Sequence, residues 1–134
     1  MFSYQRALHL ADTDSAGVVY FATLLSLCHE AYEASLATVG LPLSSILTSP
    51  DGALPIVHAE IDFLAPLACG DTLLIQVTVP HLSQRSFETD YQLFLLAAPE
   101  TLVARAKLKH VCIHPQSRKA INLPEVWRQR LITI

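Results

Sequence analysis

The sequence predicts an α+β domain in which one long apolar helix lies against a sheet of five mostly antiparallel strands. A single helical pattern fills residues 21–39, where apolar side chains recur at three- and four-residue spacing. Five other segments alternate apolar and polar residues with a period of two. The helix precedes four of these five strands, which argues against a parallel sheet whose strands alternate with helices.

The predicted elements follow one another along a single domain, residues 1–134. Residues 2–10 form the first strand, and the long helix ends at Gly40, which suits a left-handed C′ position. Pro42 prevents the helix from continuing, and residues 43–52 are expected to be a connecting loop. The remaining strands are expected at residues 57–64, 72–79, 86–95 and 103–112, with a short closing helix at residues 124–131.

Charges on three of the strands predict their order in the sheet. Two strands carry acids at alternate positions and the last carries bases: Glu60 and Asp62, Glu88 and Asp90, then Arg105, Lys107 and Lys109. Opposite charges side by side stabilise a sheet by about 0.2–1 kcal/mol per pair. We therefore expect the basic strand to lie between the two acidic strands, with three separately solvated faces as the alternative. A long helix held by such a curved sheet is the hot-dog arrangement.

The composition excludes several classes of function. Apolar residues make up 51% of the 134 residues, which is high for a small monomer, and we assign the excess to a subunit interface. A formal charge of −3 gives no basic surface for nucleic acid. No segment has the pattern of a signal peptide or a membrane span. The three cysteines have no CxxC pairing and are typical of reduced thiols, so we expect a cytoplasmic protein.

Two carboxylates, Asp12 and Asp14, stand just before the long helix and would point the same way in an extended segment. A metal pair would need further carboxylates nearby, and none follows. A DxDxT phosphatase motif would need threonine where Ala16 stands. A third interpretation is one reactive carboxylate, which brings a nucleophile to a carbonyl. The first N–H groups of a helix have no partner within it, and such a group can stabilise the oxyanion that forms when the carbonyl is attacked. Aspartate before a helix is also a common cap, so spacing alone leaves both interpretations open.

Seven motifs give the chain a resemblance to a known family. They are DTDSAGVVYF at 12–21, HEAYE at 29–33, LPIVHA at 54–59, IDF at 61–63, AP at 65–66, CGD at 69–71 and HVCI at 110–113. The first resembles the active-site segment of the 4-hydroxybenzoyl-CoA thioesterase group of hot-dog proteins. Together they resemble the cyanobacterial type of 1,4-dihydroxy-2-naphthoyl-CoA hydrolase, which acts in phylloquinone (vitamin K1) biosynthesis. The resemblance is weakest at residues 41–53 and after Pro115.

The resemblance implies a site, a reaction and an assembly. The catalytic carboxylate would be Asp14, and the backbone N–H of Phe21, helped by Tyr20, would polarise the thioester carbonyl. Ser15 replaces the proline or glycine that relatives carry after the aspartate, and the turn remains feasible. The family hydrolyses acyl-CoA without a metal or other cofactor. Coenzyme A is not counted as a cofactor because it is part of the substrate. Its active sites lie between subunits, so a homodimer or homotetramer is expected.

Three questions stay open at this point. Asp14 could act as nucleophile or as general base, and the acyl group could be another aromatic or short chain, such as 4-hydroxybenzoyl. The alternative of another class is a non-catalytic hot-dog module that binds acyl-CoA. A serine or cysteine hydrolase has no support, because neither a GxSxG elbow nor a Cys–His pairing is present.

Other polar residues have weaker signals. Phosphates of coenzyme A favour exposed basic side chains, and the candidates are Arg85, Arg118 and Lys119, with solvated surface charge as the alternative. His58 is a candidate substrate contact or a structural residue of its acidic strand. His29 and Glu30 begin a near match to HExxH, but Glu33 stands in the last position, so no zinc site is expected.

Aromatic side chains are the candidates for an acyl pocket. Tyr20, Tyr32 and Phe63 could line such a pocket, and core packing is the alternative for each of them.

Overall fold

The long helix α1, Phe21–Thr38, lies across one face of a five-stranded sheet. The computed structural model describes all residues, 1–134. The remaining elements are β1 Phe2–Ala7, α2 Leu43–Leu47, β2 Ile56–Phe63, β3 Thr72–Leu82, β4 Ser86–Leu95, β5 Ala98–Val111 and α3 Glu125–Leu131. A short 3-10 helix, Leu10–Asp12, joins β1 to the turn before α1. This arrangement confirms the predicted α+β hot-dog fold.

The sheet has the strand order β1-β3-β4-β5-β2, and all four pairings are antiparallel. The basic strand β5 therefore lies between the acidic strands β2 and β4, as the charge pattern predicts. Arg105 Nε lies 2.8 Å from Asp62 Oδ2, and Lys107 Nζ lies 3.4 Å from Glu88 Oε2. Ion pairs this exposed contribute little stability each, but their signs agree with this strand order.

The C-terminal end of α1 closes as the glycine predicts. Gly40 has φ +76°, and its N–H donates to Ala37 O while the N–H of Leu41 donates to Leu36 O. These two bonds are the Schellman pattern, which satisfies carbonyls that the helix end would leave unpaired.

Four predicted boundaries are wrong. Residues 43–52 are not all loop, because Leu43–Leu47 forms the short helix α2 and buries Ile46. The first strand ends at Ala7 rather than at residue 10, because the chain turns at His9 into the 3-10 helix. In these two cases a local apolar pattern was too short to distinguish a helical turn from its neighbours. The other two are strand ends: β3 continues to Leu82 rather than to residue 79, and β5 begins at Ala98 rather than at residue 103.

The core lies between α1 and the inner face of β1, β3, β4 and β5. It includes a buried histidine, His110 of β5, which is 1% exposed and stacks on Phe87 with ring centroids 4.5 Å apart. Its Nε2 lies 3.2 Å from Thr89 Oγ1, and its Nδ1 has no partner. Burial, together with repulsion from His29, lowers the pKa of His110 to about 4. His110 therefore belongs to the core as a neutral side chain.

The edge strand β2 is the part of the sheet that α1 leaves uncovered. Ile56 is 40% exposed and Phe63 is 50% exposed, although they pair with the buried residues His110 and Ala104 and therefore lie on the inner face. Four of the large apolar side chains that stay exposed in a single chain belong to this edge strand and the residue after it: Ile56, Val57, Phe63 and Leu64.

Cys28, Cys69 and Cys112 form no disulfide. None of the helices combines the length and the apolar character that crossing a bilayer requires.

Candidate active site

The turn before α1 is a tight hairpin that presents Asp14 at the surface. Thr13 pairs with Val19, the N–H of Asp14 donates to Val18 O at 2.9 Å, and the N–H of Gly17 donates to Asp14 O at 3.0 Å. Gly17 has φ +81°, a conformation that glycine adopts without steric cost. The sequence Ser-Ala-Gly therefore forms the tight turn that its residues predict.

The hairpin is fixed to the segment that follows β2. Val18 pairs with Ala68, and the N–H of Val19 donates to Leu67 O at 2.8 Å. These contacts join residues that are about fifty positions apart in the chain, and they hold the turn at one end of the sheet.

The carboxylate of Asp14 is exposed and half satisfied. Its Oδ1 accepts the N–H of Ala16 at 2.8 Å, which orients the side chain. No other side chain or backbone donor contacts the group, so Oδ2 remains open to a reactant. Asp14 has the arrangement that a nucleophile or general base requires: a fixed direction and a free oxygen.

The start of α1 offers an unpaired amide at Phe21. As the first helical residue, Phe21 has no acceptor within the helix, and no other backbone bond uses its N–H. No side chain caps this end, and no acidic residue lies in the first turn, so the partial positive charge of the helix end is uncompensated. Capping is therefore not the role of Asp12 or Asp14.

The N–H of Tyr20, which was predicted to assist Phe21 in polarising the carbonyl, is already used within the hairpin. The N–H of Tyr20 donates to Asp12 O at 2.9 Å, within the hairpin, so it is not available to a carbonyl oxygen. Of the two predicted donors, only the N–H of Phe21 is therefore free to bind a carbonyl oxygen.

Asp12 has a structural role that differs from that of Asp14. Its carboxylate accepts from Arg6 at 2.8 and 3.2 Å and from the N–H of His9 at 2.8 Å. The hydrogen bond from Arg6 is the main reason that the pKa of Asp12 is lowered, against the opposing effect of burial. Arg6 Nε also lies 3.4 Å from Glu30 Oε1 of α1. Asp12 therefore joins β1, the 3-10 helix and, through Arg6, α1.

The candidate phosphate ligands lie at the opposite end of the sheet from Asp14. Arg85, Arg118 and Lys119 are exposed, and Arg85 Nε lies 3.4 Å from Asn122 Oδ1. They lie near Ile113, while the Asp14 end of β5 is near Ala104, which pairs with Phe63. Nine residues of extended strand span roughly 30 Å. One chain therefore does not bring these bases together with Asp14.

His58 and Tyr32 are also placed apart from Asp14. His58 lies on the outer, polar face of β2, with Nε2 3.2 Å from Glu60 Oε2. Tyr32 is 2% exposed and packs between α1 and the sheet, with its ring centroid 4.8 Å from that of His110. Core packing is therefore the role of Tyr32.

No metal centre is formed, because no three His, Cys, Asp or Glu side chains come together in a suitable cluster. A cavity of about 530 Å³ lies on the outer face of the sheet, among residues such as Glu60, Asp90 and Arg105, and does not include Asp14 or Phe21. In a single chain the surface around Asp14 is consequently open.

One feature of the site was not predicted. The rings of Phe21 and Phe63 meet at a centroid distance of 6.3 Å beside the helix start. The helical pattern that includes Phe21 gives no sign of this contact, because only the sheet topology brings the end of β2 to the start of α1.

Comparison with known proteins identifies close relatives. The chain matches the thioesterase-like superfamily over residues 8–131. It is 50% identical over 131 residues to the 1,4-dihydroxy-2-naphthoyl-CoA hydrolase of Rippkaea orientalis, covering 98% of this chain and 95% of that protein. It is 52% identical to the protein of the same name from Microcystis aeruginosa, covering 91% and 86%. The crystal structure of a 1,4-dihydroxy-2-naphthoyl-CoA thioesterase from Synechocystis superposes with a TM-score of 0.92 at 46% identity, covering 97% and 94%.

Proposed function

This chain belongs to the thioesterase-like superfamily of hot-dog proteins, and we propose that it hydrolyses 1,4-dihydroxy-2-naphthoyl-CoA to 1,4-dihydroxy-2-naphthoate and coenzyme A. The reaction is a step of phylloquinone biosynthesis. The observation that carries the proposal is the open carboxylate of Asp14 in the hairpin that leads directly to the unpaired amide of Phe21. The substrate is proposed from the relatives, which are about half identical to this chain over nearly its full length.

The chemistry follows from these two groups. The thioester carbonyl oxygen accepts the N–H of Phe21, which stabilises the negative charge that forms when the carbonyl carbon is attacked. Asp14 Oδ2 either attacks that carbon or removes a proton from an attacking water. The C–S bond then breaks and coenzyme A leaves as a thiolate, a good leaving group that needs no strong acid. An acyl-Asp14 intermediate, if formed, is hydrolysed by water to release the acid.

We also propose that the active form is a homodimer or homotetramer in which subunits meet at β2. Its outer edge is unpaired, and its inner face exposes Ile56 and Phe63. An edge of this kind pairs readily with a second strand. Antiparallel pairing of two β2 strands would place the Ile56 end of one subunit beside the Phe63 end of the other.

This assembly would complete the coenzyme A site. The exposed bases Arg85, Arg118 and Lys119 belong to the Ile56 end of the sheet, so in the dimer they approach the Asp14 of the neighbouring subunit. We propose that they bind the phosphates of coenzyme A there, and that His58 lines the same approach. The reaction uses only these residues and a backbone amide, without a metal or other cofactor. The three unpaired cysteines are consistent with a cytoplasmic location.

The function is tested by a hydrolysis panel that compares aromatic and aliphatic acyl-CoAs. We expect the wild type to prefer 1,4-dihydroxy-2-naphthoyl-CoA, and Asp14→Asn to lower kcat by about 10²–10⁴ or more. Asp51→Asn, an exposed aspartate elsewhere on the surface, is the matched control and should keep full turnover. A preference for another acyl group would show that the substrate differs from the one proposed. Binding of acyl-CoA without turnover would favour the alternative function, a non-catalytic module that binds acyl-CoA.

The shared site is tested by mixing two inactive proteins. Asp14→Asn is combined with a variant in which Arg85, Arg118 and Lys119 are replaced by Gln, and subunits are allowed to exchange. Each mixed dimer then contains one intact site, so about a quarter of wild-type activity should return. No recovery, with subunit exchange verified by mass, would show that each site uses the bases of its own chain or none of them.

A further inference from the structure

An exposed aromatic cluster, formed by Tyr20, Phe21 and Phe63, lies at the start of α1. The three side chains are 46%, 61% and 50% exposed. Tyr20 and Phe21 have ring centroids 4.9 Å apart, Phe21 and Phe63 have centroids 6.3 Å apart, and both pairs meet edge to face. All other Phe, Tyr and Trp side chains are at least half-buried, so the aromatic cluster contains every exposed ring of these three residue types.

The position of the cluster determines what can cover it. Its central ring belongs to Phe21, whose backbone N–H is the unpaired donor at the helix start. A carbonyl oxygen bound there lies about 3 Å from the nitrogen. In an aryl thioester the ring is bonded directly to the carbonyl carbon, so it must lie within a few bond lengths of this amide. An aromatic acyl group at the donor therefore reaches the rings of the aromatic cluster.

We propose that the aromatic cluster is the surface against which the acyl ring of the substrate packs, and that it gives the enzyme its preference for aryl over aliphatic thioesters. This inference rests on the proposed function. Aromatic rings pack on one another in offset-stacked and edge-to-face arrangements, which stabilise the pair beyond the apolar area that it buries. The edge-to-face geometry within the cluster leaves ring faces and edges open to a further ring. An alkyl chain would gain only apolar burial at the same place.

The test measures binding without turnover, in the Asp14→Asn protein. Dissociation constants are determined for 1-hydroxy-2-naphthoyl-CoA and for butyryl-CoA, with Phe63→Leu or Tyr20→Leu added. Loss of one ring contact should weaken the aryl ligand by about tenfold, while butyryl-CoA changes by less than about twofold. The conservative variants Phe63→Tyr and Tyr20→Phe keep a ring and should keep the preference. Phe94→Leu, a half-buried phenylalanine of β4 outside the cluster, should change neither constant.

Two results would overturn the inference. Equal weakening of both ligands in Phe63→Leu or Tyr20→Leu, with or without a change of oligomer mass by light scattering, would mean that the rings support the fold or the subunit contact instead. Unchanged binding of both ligands would mean that the acyl ring lies elsewhere. The proposed function fails separately, when the wild type does not hydrolyse the naphthoyl thioester in the panel described above.

Discussion

Asp12 and Asp14 are separated by one residue, and they differ in every contact that they make. Asp12 is buried and accepts three hydrogen bonds, two from Arg6 and one from the backbone of His9. Asp14 is exposed and accepts one, from Ala16, which leaves one oxygen free. A carboxylate that is fully occupied stabilises the fold, whereas a carboxylate that is held by one bond can meet a substrate. The number of hydrogen bonds that each carboxylate accepts, rather than residue type or spacing, separates the two roles.

The largest expected effect separates the two aspartates by activity. Asp14→Asn keeps an oxygen for the N–H of Ala16 and so preserves the turn, and its free energy of unfolding should stay within about 0.5 kcal/mol of wild type. Its kcat should nevertheless fall by about 10²–10⁴ or more. Thermal unfolding and steady-state kinetics on the same preparation check both values. A folded Asp14→Asn protein with near-normal turnover would reject Asp14 as the reactive carboxylate.

The next effect is the loss of stability at low pH that His110 causes, which is distinct from any effect of Asp12 or Asp14. The folded-state pKa of His110 is about 4, below the ordinary value of 6.5. Its contribution to stability is therefore complete above pH 6.5 and is lost as the pH falls from 6.5 to 4, by about 3 kcal/mol in total. Denaturant unfolding across this range measures the loss. His110→Gln retains a polar atom near Thr89 and does not titrate, so its slope in this range should be clearly smaller. An unchanged slope would assign the acid sensitivity to other groups.

A smaller effect is expected from Asp12→Asn, which removes the charge that Arg6 pairs with. Leaving this half-buried guanidinium without its anion should cost about 1–3 kcal/mol of unfolding free energy. Because the pKa of Asp12 is lowered in the fold, this contribution is present above the unfolded pKa and is lost only as the pH falls through the folded value. Turnover should fall less than in Asp14→Asn, since the carboxylate of Asp12 is already occupied by Arg6 and the N–H of His9. The opposite ranking would exchange the two roles.

The smallest effect concerns the turn that holds Asp14. Gly17→Ala introduces a Cβ at φ +81°, where no atom lies within 4 Å, so its cost is backbone strain of roughly 1 kcal/mol. Gly40→Ala is the matched control, because it also has a positive φ, +76°, and only ordinary van der Waals contacts around the Cβ, and it lies at the other end of α1 from Asp14. Both should lower the melting temperature similarly, but only Gly17→Ala should also reduce kcat. Equal kinetics in the two variants would show that the turn tolerates this strain without moving Asp14.

The sequence predicted the fold more completely than the site. Periodicity located α1 and the strands, Gly40 marked the end of α1, and alternate charges placed β5 between β2 and β4. Each of these signals is local or pairwise along the chain. The split between Asp12 and Asp14 was implied by the family resemblance alone and was not predicted by residue spacing, because it depends on Arg6, which comes from another element. Nor was the loss of the Tyr20 donor, since a backbone bond across a hairpin leaves no mark on side-chain composition.

The contacts between the hairpin and residues 67 and 68 have a consequence for control of the enzyme. The segment that anchors Asp14 is the direct continuation of the uncovered edge strand β2, through Leu64 and Ala65. If subunits dock at that strand as proposed, a shift of the strand would be transmitted over two backbone pairings to the carboxylate of Asp14. Separated subunits would then be poor catalysts even where every side chain of the site is intact.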